Sequence, residues 1–220
     1  MQRLALTSGS QPTAQSLASP FVERVPVAEE IALFEAIQHG GSDWQRRAFD
    51  DYYRLVYGLL VKSLGPHGDI EDLVSDVFVG FFESAKNIRQ ASGIRSYIVS
   101  IAMNVVRREV RQRKRRRLIY KLVGGPQEWE RGTSTDDPKA KAALLQLSRI
   151  LDDINTEDRI AFVLSGLEGL SMVEIAEVLH VSLSTAKRRV RRANEHVRKR
   201  VSRNALLADY IRDRSGGSHG

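Results

Sequence analysis

The sequence predicts an all-α protein of two small helical domains joined by a flexible linker, the second domain containing a helix-turn-helix. Three observations lead to this fold class. Apolar residues recur at spacings of three and four along most of the 220-residue chain, which is the period of an amphipathic helix. Alternation of apolar and polar residues, typical of strands, is scarce. A glycine-, proline- and threonine-rich stretch past the middle separates two helical halves.

Two helices are predicted at the start of the first half. The first runs from Glu30 to Ile37, and its inward-facing residues are Ile31, Phe34 and Ile37. The second carries one apolar face, made of Phe49, Tyr53, Val56, Leu60 and Leu64. The turn Gly65–Gly68 ends this second helix, because glycine and proline interrupt helical structure.

The next two helices differ sharply in charge. Asp69 is placed to cap the first of them, whose buried side consists of Ile70, Leu73, Val74, Val77, Phe78 and Phe81. Between residues 63 and 85 there is no Lys or Arg, and the acidic residues there are Asp69, Glu71, Asp72, Asp76 and Glu83. After a loop at 87–93, a long helix starts at Ile94 and ends in an arginine-rich stretch near Arg117.

The second half begins after residues 122–141, which are rich in turn-forming residues. Helices are predicted over 142–154 and 156–167, followed by a shorter helix and then the last helix. Ser171 and Glu174 have the spacing of a capping box, and Ser182 is a second N-cap candidate. The apolar face of the last helix is formed by Ala186, Val190, Ala193, Val197 and Val201.

These patterns divide the chain into five parts. We predict a flexible N-terminal tail at 1–26, a helical domain at 27–118, a linker at 119–141, a helix-turn-helix domain at 142–204 and a C-terminal tail at 205–220. The N-terminal part has no apolar core of the kind that a secretory signal needs. No apolar run approaches the roughly 18 residues of a membrane-spanning helix.

The charge is concentrated in separate segments. The net charge is +7, yet residues 107–121 and 187–203 each carry nine basic residues and one acidic residue, so the rest of the chain is strongly acidic. Basic side chains that neutralise phosphates release counterions, so two such helices favour nucleic acid over a merely solvated face. A membrane-surface helix would place Trp, Phe and Leu opposite its charges, whereas 187–203 has Ala and Val there.

The segment 171–192 has helix-turn-helix proportions. Docking of its second helix through Ala186 and Val190 leaves Thr185, Lys187, Arg188, Arg191 and Arg192 pointing outward. Arginine and lysine at this position can bind guanine edges in the major groove or the phosphates beside it. The alternative is an ordinary helical hairpin with a basic surface.

Other chemistry finds little support in the sequence. There is no cysteine, which excludes disulfides, thiolate metal sites and a thiol nucleophile and fits a reducing cytosol. Asp72 and Asp76 lie one helical turn apart and could bind Mg²⁺, but no third ligand is recognisable. The five histidines lack zinc spacing, and phosphate-loop, dinucleotide and esterase motifs are absent. We therefore expect no enzyme activity, no metal and no cofactor.

Three motifs, in order, resemble a known family. Residues 69–78 are similar to the acidic helix of bacterial RNA polymerase sigma factors, and residues 94–104 to the stretch that follows it. Residues 168–190 are similar to the helix-turn-helix of the same family. The two-domain order over roughly 34–201 resembles the small extracytoplasmic-function (ECF) branch.

The resemblance implies three binding surfaces in a promoter-specificity subunit. The first would dock on the clamp coiled coil of the largest polymerase subunit, through Asp69, Asp72, Ser75, Asp76 and Phe78. The second would hold the melted −10 strand and a flipped base, through Ile88, Arg89, Ser92, Asn104, Arg107, Arg108 and Arg111. The third would read the −35 duplex, through Ser184, Thr185, Lys187, Arg188, Arg191 and Arg192.

The implied partners are core RNA polymerase and promoter DNA, with an anti-sigma factor as a further partner that is common in the family, and the implied location is the cytoplasm. The alternative function is a stand-alone DNA-binding regulator, which would have no evident use for the acidic helix. His180 stands where the family often has glycine, so a positive φ there would strain the backbone modestly.

Overall fold

The computed structural model describes residues 27–65, 69–123 and 138–216, and these residues form helices joined by short turns. The predicted N-terminal tail at 1–26, the centre of the predicted linker and the end of the predicted C-terminal tail lie outside the described residues. Within the described ranges there is no strand, which confirms the all-α fold class.

The first domain consists of four helices, α1 (Val27–His39), α2 (Trp44–Leu64), α3 (Ile70–Ser84) and α4 (Ile94–Val123). Two 3₁₀ turns, Ala85–Asn87 and Ala91–Gly93, join α3 to α4. Helices α2, α3 and α4 pack against one another around fully buried side chains, of which Tyr52, Leu59, Phe81, Ile98 and Met103 are among the largest. Helix α4 continues past Arg117, so the predicted linker is partly helical.

Two apolar residues of the predicted first-domain core are exposed. Ile31 is 45% exposed, because the inward side of α1 is formed by Leu33 and Ile37. Phe49, at 39% exposure, packs its ring against Tyr53 and belongs to the edge of the domain. The period of the apolar residues thus predicted the helices correctly but placed their buried sides only approximately.

The second domain contains α5 (Pro138–Asp152), α6 (Thr156–Phe162), α7 (Met172–Leu179), α8 (Leu183–Val201) and α9 (Ala205–Gly216). A single π-helical turn, Val163–Leu167, extends α6. Residues 205–220 were predicted as a C-terminal tail. In the structure, 205–216 instead form α9, which packs against α5 and α8. Asn204 caps α9 by accepting a hydrogen bond of 3.1 Å from the Leu207 N–H, and Leu207 is buried.

The helix-turn-helix forms with the predicted local chemistry. Ser171 accepts a hydrogen bond from the Glu174 N–H, and the Glu174 carboxylate accepts one from the Ser171 N–H, so the capping box is complete. Ser182 caps α8 by accepting from the Thr185 N–H. His180 has φ 51° in the turn, so this position does adopt the left-handed conformation in which a histidine is modestly strained.

The two domains contact each other directly. The C-terminal end of α2 lies against α5 and the π-helical turn, while α4 packs on α6 and α7. Gly65, with φ 78°, allows this approach, since a Cβ atom at that position would lie 2.5 Å from the Ser148 hydroxyl oxygen. The described structure is therefore a closed arrangement in which both candidate DNA-binding helices, α4 and α8, lie near α6.

Candidate functional site

One side of α3 is an exposed acidic surface. Asp69, Glu71, Asp72, Asp76 and Glu83, which we call the acidic face, are all exposed, because residues three, four and seven apart share one side of a helix. Ser75 is exposed among them and donates a hydrogen bond of 3.0 Å to the Glu71 carbonyl oxygen. Asp69 occupies the N-cap position of α3, but its side chain makes no capping hydrogen bond.

Phe78 supports the acidic face from behind. It was predicted among the polymerase-contacting residues, but it is only 2% exposed and therefore does not form the surface itself. Its ring packs 4.7 Å from that of Phe49 and 5.8 Å from that of Phe82, measured between centroids. This aromatic layer fixes the position of α3 on α2.

Glu71 is exposed, but its carboxylate is hydrogen-bonded to a side chain of α2. The Tyr53 hydroxyl lies 2.9 and 3.0 Å from the two oxygens of the Glu71 carboxylate. Burial, followed by this hydrogen bond, raises the pKa of Tyr53 to about 12. The phenol therefore stays protonated and continues to donate at any physiological pH.

The loop before α4 and the centre of α4 carry the residues predicted to hold the −10 strand. Arg89 and Ser92 are exposed, whereas Ile88 is buried and its carbonyl oxygen accepts a hydrogen bond of 3.1 Å from Gln38. Asn104 is exposed and lies about 15 Å along the α4 axis from the start of the helix. The set therefore forms two groups, one in the loop before α4 and the other in the middle of α4.

The arginines of α4 are in part already paired. Arg107 donates to Asn104 at 2.7 Å and to the Glu157 carboxylate of α6 at 2.8 Å. Arg108 forms an ion pair with Asp76, so a predicted DNA contact and a predicted polymerase contact bind each other. This pair is half exposed on both sides, and such pairs contribute little to stability. Arg111 is exposed.

The N-terminal part of α8 presents most of the residues predicted to read duplex DNA. Ser184, Lys187, Arg188 and Arg191 are exposed, and Thr185 is partly buried. Arg192 is also exposed in part, but its guanidinium binds both oxygens of the Asp158 carboxylate, with one contact of 2.7 Å. Five of the six side chains are thus accessible on one helix, while Arg192 is directed to α6.

Two family models match the chain over these surfaces. The model described as Sigma-70 region 2 matches residues 48–116, and the model described as Sigma-70, region 4 matches residues 144–197. The ferric citrate uptake sigma factor FecI of Escherichia coli is 30% identical over 160 residues, which are 67% of this chain and 87% of that protein. The chain belongs to the ECF branch of the sigma factors.

Other sigma factors are similar over most of the chain. The ECF RNA polymerase sigma-E factor of Haemophilus influenzae is 26% identical over 186 residues, which are 80% of this chain and 98% of that protein. The solved structure of CnrH in complex with the cytosolic domain of CnrY has a TM-score of 0.60 at 18% identity, covering 80% of this chain and 99% of that one. That likeness supports the fold.

This ECF sigma factor directs RNA polymerase to promoters, and the stand-alone regulator is not favoured. Sigma factors are non-catalytic DNA-recognition factors. Across residues 27–65, 69–123 and 138–216, no helix has both the length and the apolar character needed to cross a bilayer. The same ranges contain no cluster of three or more His, Asp or Glu side chains arranged to hold a metal ion.

Glu157 and Asp158 bind arginines of α4 and α8 in this sigma factor, although the sequence did not indicate these contacts. Both lie in the first turn of α6, where negative charges interact favourably with the helix dipole. Asn155 is the N-cap of this helix. Glu157 binds Arg107 and Arg189, and Asp158 binds Arg192. The acidic pair after a capping asparagine is visible in the sequence, but its arginine partners are about 30 to 50 residues away and depend on the packing of the domains.

Proposed function

We propose that this sigma factor divides its binding among three surfaces. The acidic face of α3 binds the clamp coiled coil of the largest polymerase subunit. The loop at 88–93, Asn104 and the arginines of α4 hold the opened −10 strand, and the N-terminal part of α8 reads the −35 duplex. Residues 27–118 would then serve as the polymerase and −10 domain, and 142–204 as the −35 domain.

One observation carries this proposal: oppositely charged surfaces are exposed on separate helices of one molecule. Asp72 and Asp76 are exposed on α3, and Lys187 and Arg188 are exposed on α8. An acidic face suits a basic protein surface and repels DNA, whereas the basic surface of α8 suits phosphates and guanine edges. A single DNA-binding role would leave the acidic face without a use.

The second domain supports duplex reading through its local geometry. The hydroxyl of Ser182 lies 3.0 Å from those of Ser184 and Thr185 at the N-terminus of α8, beside Lys187 and Arg188. Hydroxyls, helix N-termini and basic side chains are common phosphate contacts and fix the register of a recognition helix. The basic residues that follow can then reach base edges.

We also propose the partners and the location of the protein. The protein acts by binding alone, without enzyme activity, and binds the polymerase and the DNA in the cytoplasm. Two structural neighbours were solved with a bound partner: CnrH with the cytosolic domain of CnrY, and the sigma factor RpoE of Bartonella quintana with the anti-sigma factor NepR. An anti-sigma factor is therefore a further partner that we propose for this chain.

The test of the proposed polymerase surface is a charge reversal on α3. We expect wild-type protein to co-elute with core RNA polymerase in size exclusion, and Asp72→Arg to lose most of this binding, because a positive charge would face a basic coiled coil. Glu35→Arg is the matched control, since Glu35 is an exposed acid on α1 of the same domain. Circular dichroism would verify that all three proteins are folded.

Three results would contradict this proposal. Failure of the wild-type protein to co-elute at low and moderate salt would remove polymerase binding altogether. Equal binding by Asp72→Arg and wild type would remove the acidic face from the interface. Equal loss by Asp72→Arg and Glu35→Arg would show a general effect of charge instead of a located surface.

A further inference from the structure

An open groove lies at the turn of the helix-turn-helix, between α7 and the first residue of α8. It has a volume of about 500 Å³, and its apolar lining consists of Val173, Ala176, Val181 and Leu183. We call it the turn groove. Its apolar character differs from that of the basic surface of α8, which begins only four residues after Leu183.

Two of the apolar side chains of the turn groove are exposed. Val173 is 56% exposed and Leu183 is 41% exposed. In the described part of the second domain, the other large apolar side chain with such exposure is Leu206 of α9. Single exposed apolar side chains are normal on a protein surface, whereas exposed apolar side chains that share a groove indicate a binding site.

Leu183 belongs to the end of α8 that is proposed to enter the major groove of DNA. It is the first residue of α8 and follows the cap Ser182 directly. Lys187 lies four residues further along and therefore on the same side of the helix. A recognition helix contacts base edges with its N-terminal residues. Leu183 thus lies among the positions that contact bases and is continuous with the predicted −35 set.

The chemistry of leucine restricts what this position can recognise. Its side chain has no hydrogen-bond donor or acceptor, so the favourable contact it can make with DNA is an apolar one. In the major groove, thymine presents a 5-methyl group that the other bases lack. An aliphatic groove removes that methyl group from water, which is favourable. A thymine methyl group is therefore the ligand that fits an exposed leucine here.

The charges around the turn groove favour a base edge over a phosphate. Glu177 lines the groove and is exposed, so its carboxylate repels a phosphate at this place. Phosphate contacts are available just outside the groove, where the Ser182 hydroxyl lies 3.0 Å from those of Ser184 and Thr185. The backbone of the DNA can thus be held beside the groove while a base edge enters it.

We propose that Leu183, together with Val173, reads the 5-methyl group of a thymine in the −35 element. The inference rests on the proposed role of α8 in duplex reading and adds an apolar contact to a surface otherwise made of polar and basic residues. Lys187 and Arg188 bind phosphates and guanine edges, and Leu183 makes one position of the element specific for thymine.

The test removes the methyl group from the DNA and leaves the hydrogen-bonding groups of the base unchanged. Reconstituted holoenzyme is bound to promoter duplexes in which each thymine of the −35 element, on either strand, is replaced in turn by deoxyuridine. We expect one of these replacements to weaken binding about fourfold, which is the effect of removing one methyl group from an apolar contact.

Leu183→Ala links this effect to the turn groove. The variant should bind the unmodified promoter more weakly than wild type does, and it should no longer distinguish thymine from deoxyuridine at the sensitive position. Leu206→Ala is the matched control, because Leu206 has nearly the same exposure on α9 of the same domain. It should retain the full difference between the two DNAs.

Two results would overturn the inference. One is a protected −35 element in which no thymine position responds to deoxyuridine in the wild-type holoenzyme, a measurement that needs no variant. The other is a Leu183→Ala holoenzyme that responds to deoxyuridine as strongly as wild type does; if this variant instead lost binding to core polymerase, the turn groove would be a protein contact. Failure of the proposed function is distinct, since the −35 element would then not be protected at all.

Discussion

His180 adopts left-handed backbone at the end of α7, with φ 51° and ψ 48°. Its N–H donates to the Glu177 carbonyl and the Val181 N–H donates to the Ala176 carbonyl, which together form a Schellman motif. Glycine adopts this conformation without the clash that a Cβ atom causes. The turn of the helix-turn-helix is therefore closed correctly but under slight strain.

At this position we predict that His180→Gly raises the free energy of unfolding by about 0.5–1 kcal/mol, because it relieves the left-handed strain. His180→Ala should give no such gain, since alanine retains the Cβ atom. Thermal unfolding followed by circular dichroism measures both. A destabilised His180→Gly variant would mean that the imidazole makes a contribution larger than the strain.

Three of the four predicted capping residues were predictable from local spacing, whereas Asp69 occupies its N-cap position without a side-chain capping bond. Ser171, Glu174 and Ser182 form the bonds that their spacing indicates, because capping involves residues only two or three positions apart. Arg192 shows the limit of this reasoning. Its position on the outer side of α8 is predictable, whereas its pairing with Asp158, 34 residues earlier, depends on how α6 packs.

Among the helices, α9 departs most from the sequence-based expectation. A short run of apolar residues followed by charged residues and glycines is typical of a tail, yet Leu207 is 5% exposed against the rest of the domain. Neighbouring Leu206 is 42% exposed. Leu207 is buried because α9 packs on α5, and this contact cannot be predicted from the sequence pattern of α9 alone.

The two leucines of α9 give a matched test of this packing. We predict that Leu207→Ala lowers the free energy of unfolding by about 2–3 kcal/mol, because it leaves a cavity in a packed site. Leu206→Ala should change it by less than about 0.5 kcal/mol, as for other surface substitutions. Urea denaturation measures both, and equal small effects would mean that α9 is detached in solution.

The acidic helix α3 was predicted well because its two sides differ so strongly. Ile70, Leu73 and Val77 are buried as expected, and the acidic face is exposed on the opposite side. Phe78 and Ile88 were expected at binding surfaces, Phe78 from the acidic-helix motif and Ile88 from the loop before α4. Both side chains are buried and support these surfaces from within.

For the whole molecule, the sequence predicts two helical domains and their charges but not their closed arrangement. Lys62 and Glu168 are 106 residues apart, and Arg107 and Glu157 are 50 apart. No local period or cap relates such residues, since their contact depends on how the domains pack. The separate basic surfaces were predictable from composition, whereas their shared contact with Glu157 was found only in the structure.

We propose that three surfaces of this sigma factor divide polymerase binding, strand holding and duplex reading among them. Linkage of two DNA-binding domains raises the effective concentration of each at its element, so neither domain needs to bind its element tightly alone. Loss of base contacts from α8 should then weaken binding at the −35 element and leave the −10 element bound.

Footprinting of reconstituted holoenzyme on promoter fragments is the most direct measurement. We predict two protected clusters, near −10 and −35, and a loss of about 1–3 kcal/mol in promoter binding for Arg188→Ala and for Arg191→Ala, confined to the −35 cluster. Arg198→Ala, further along α8 and also exposed, should retain both clusters. Equal loss for all three variants, or protection at −35 that survives without Arg188 and Arg191, would contradict the account.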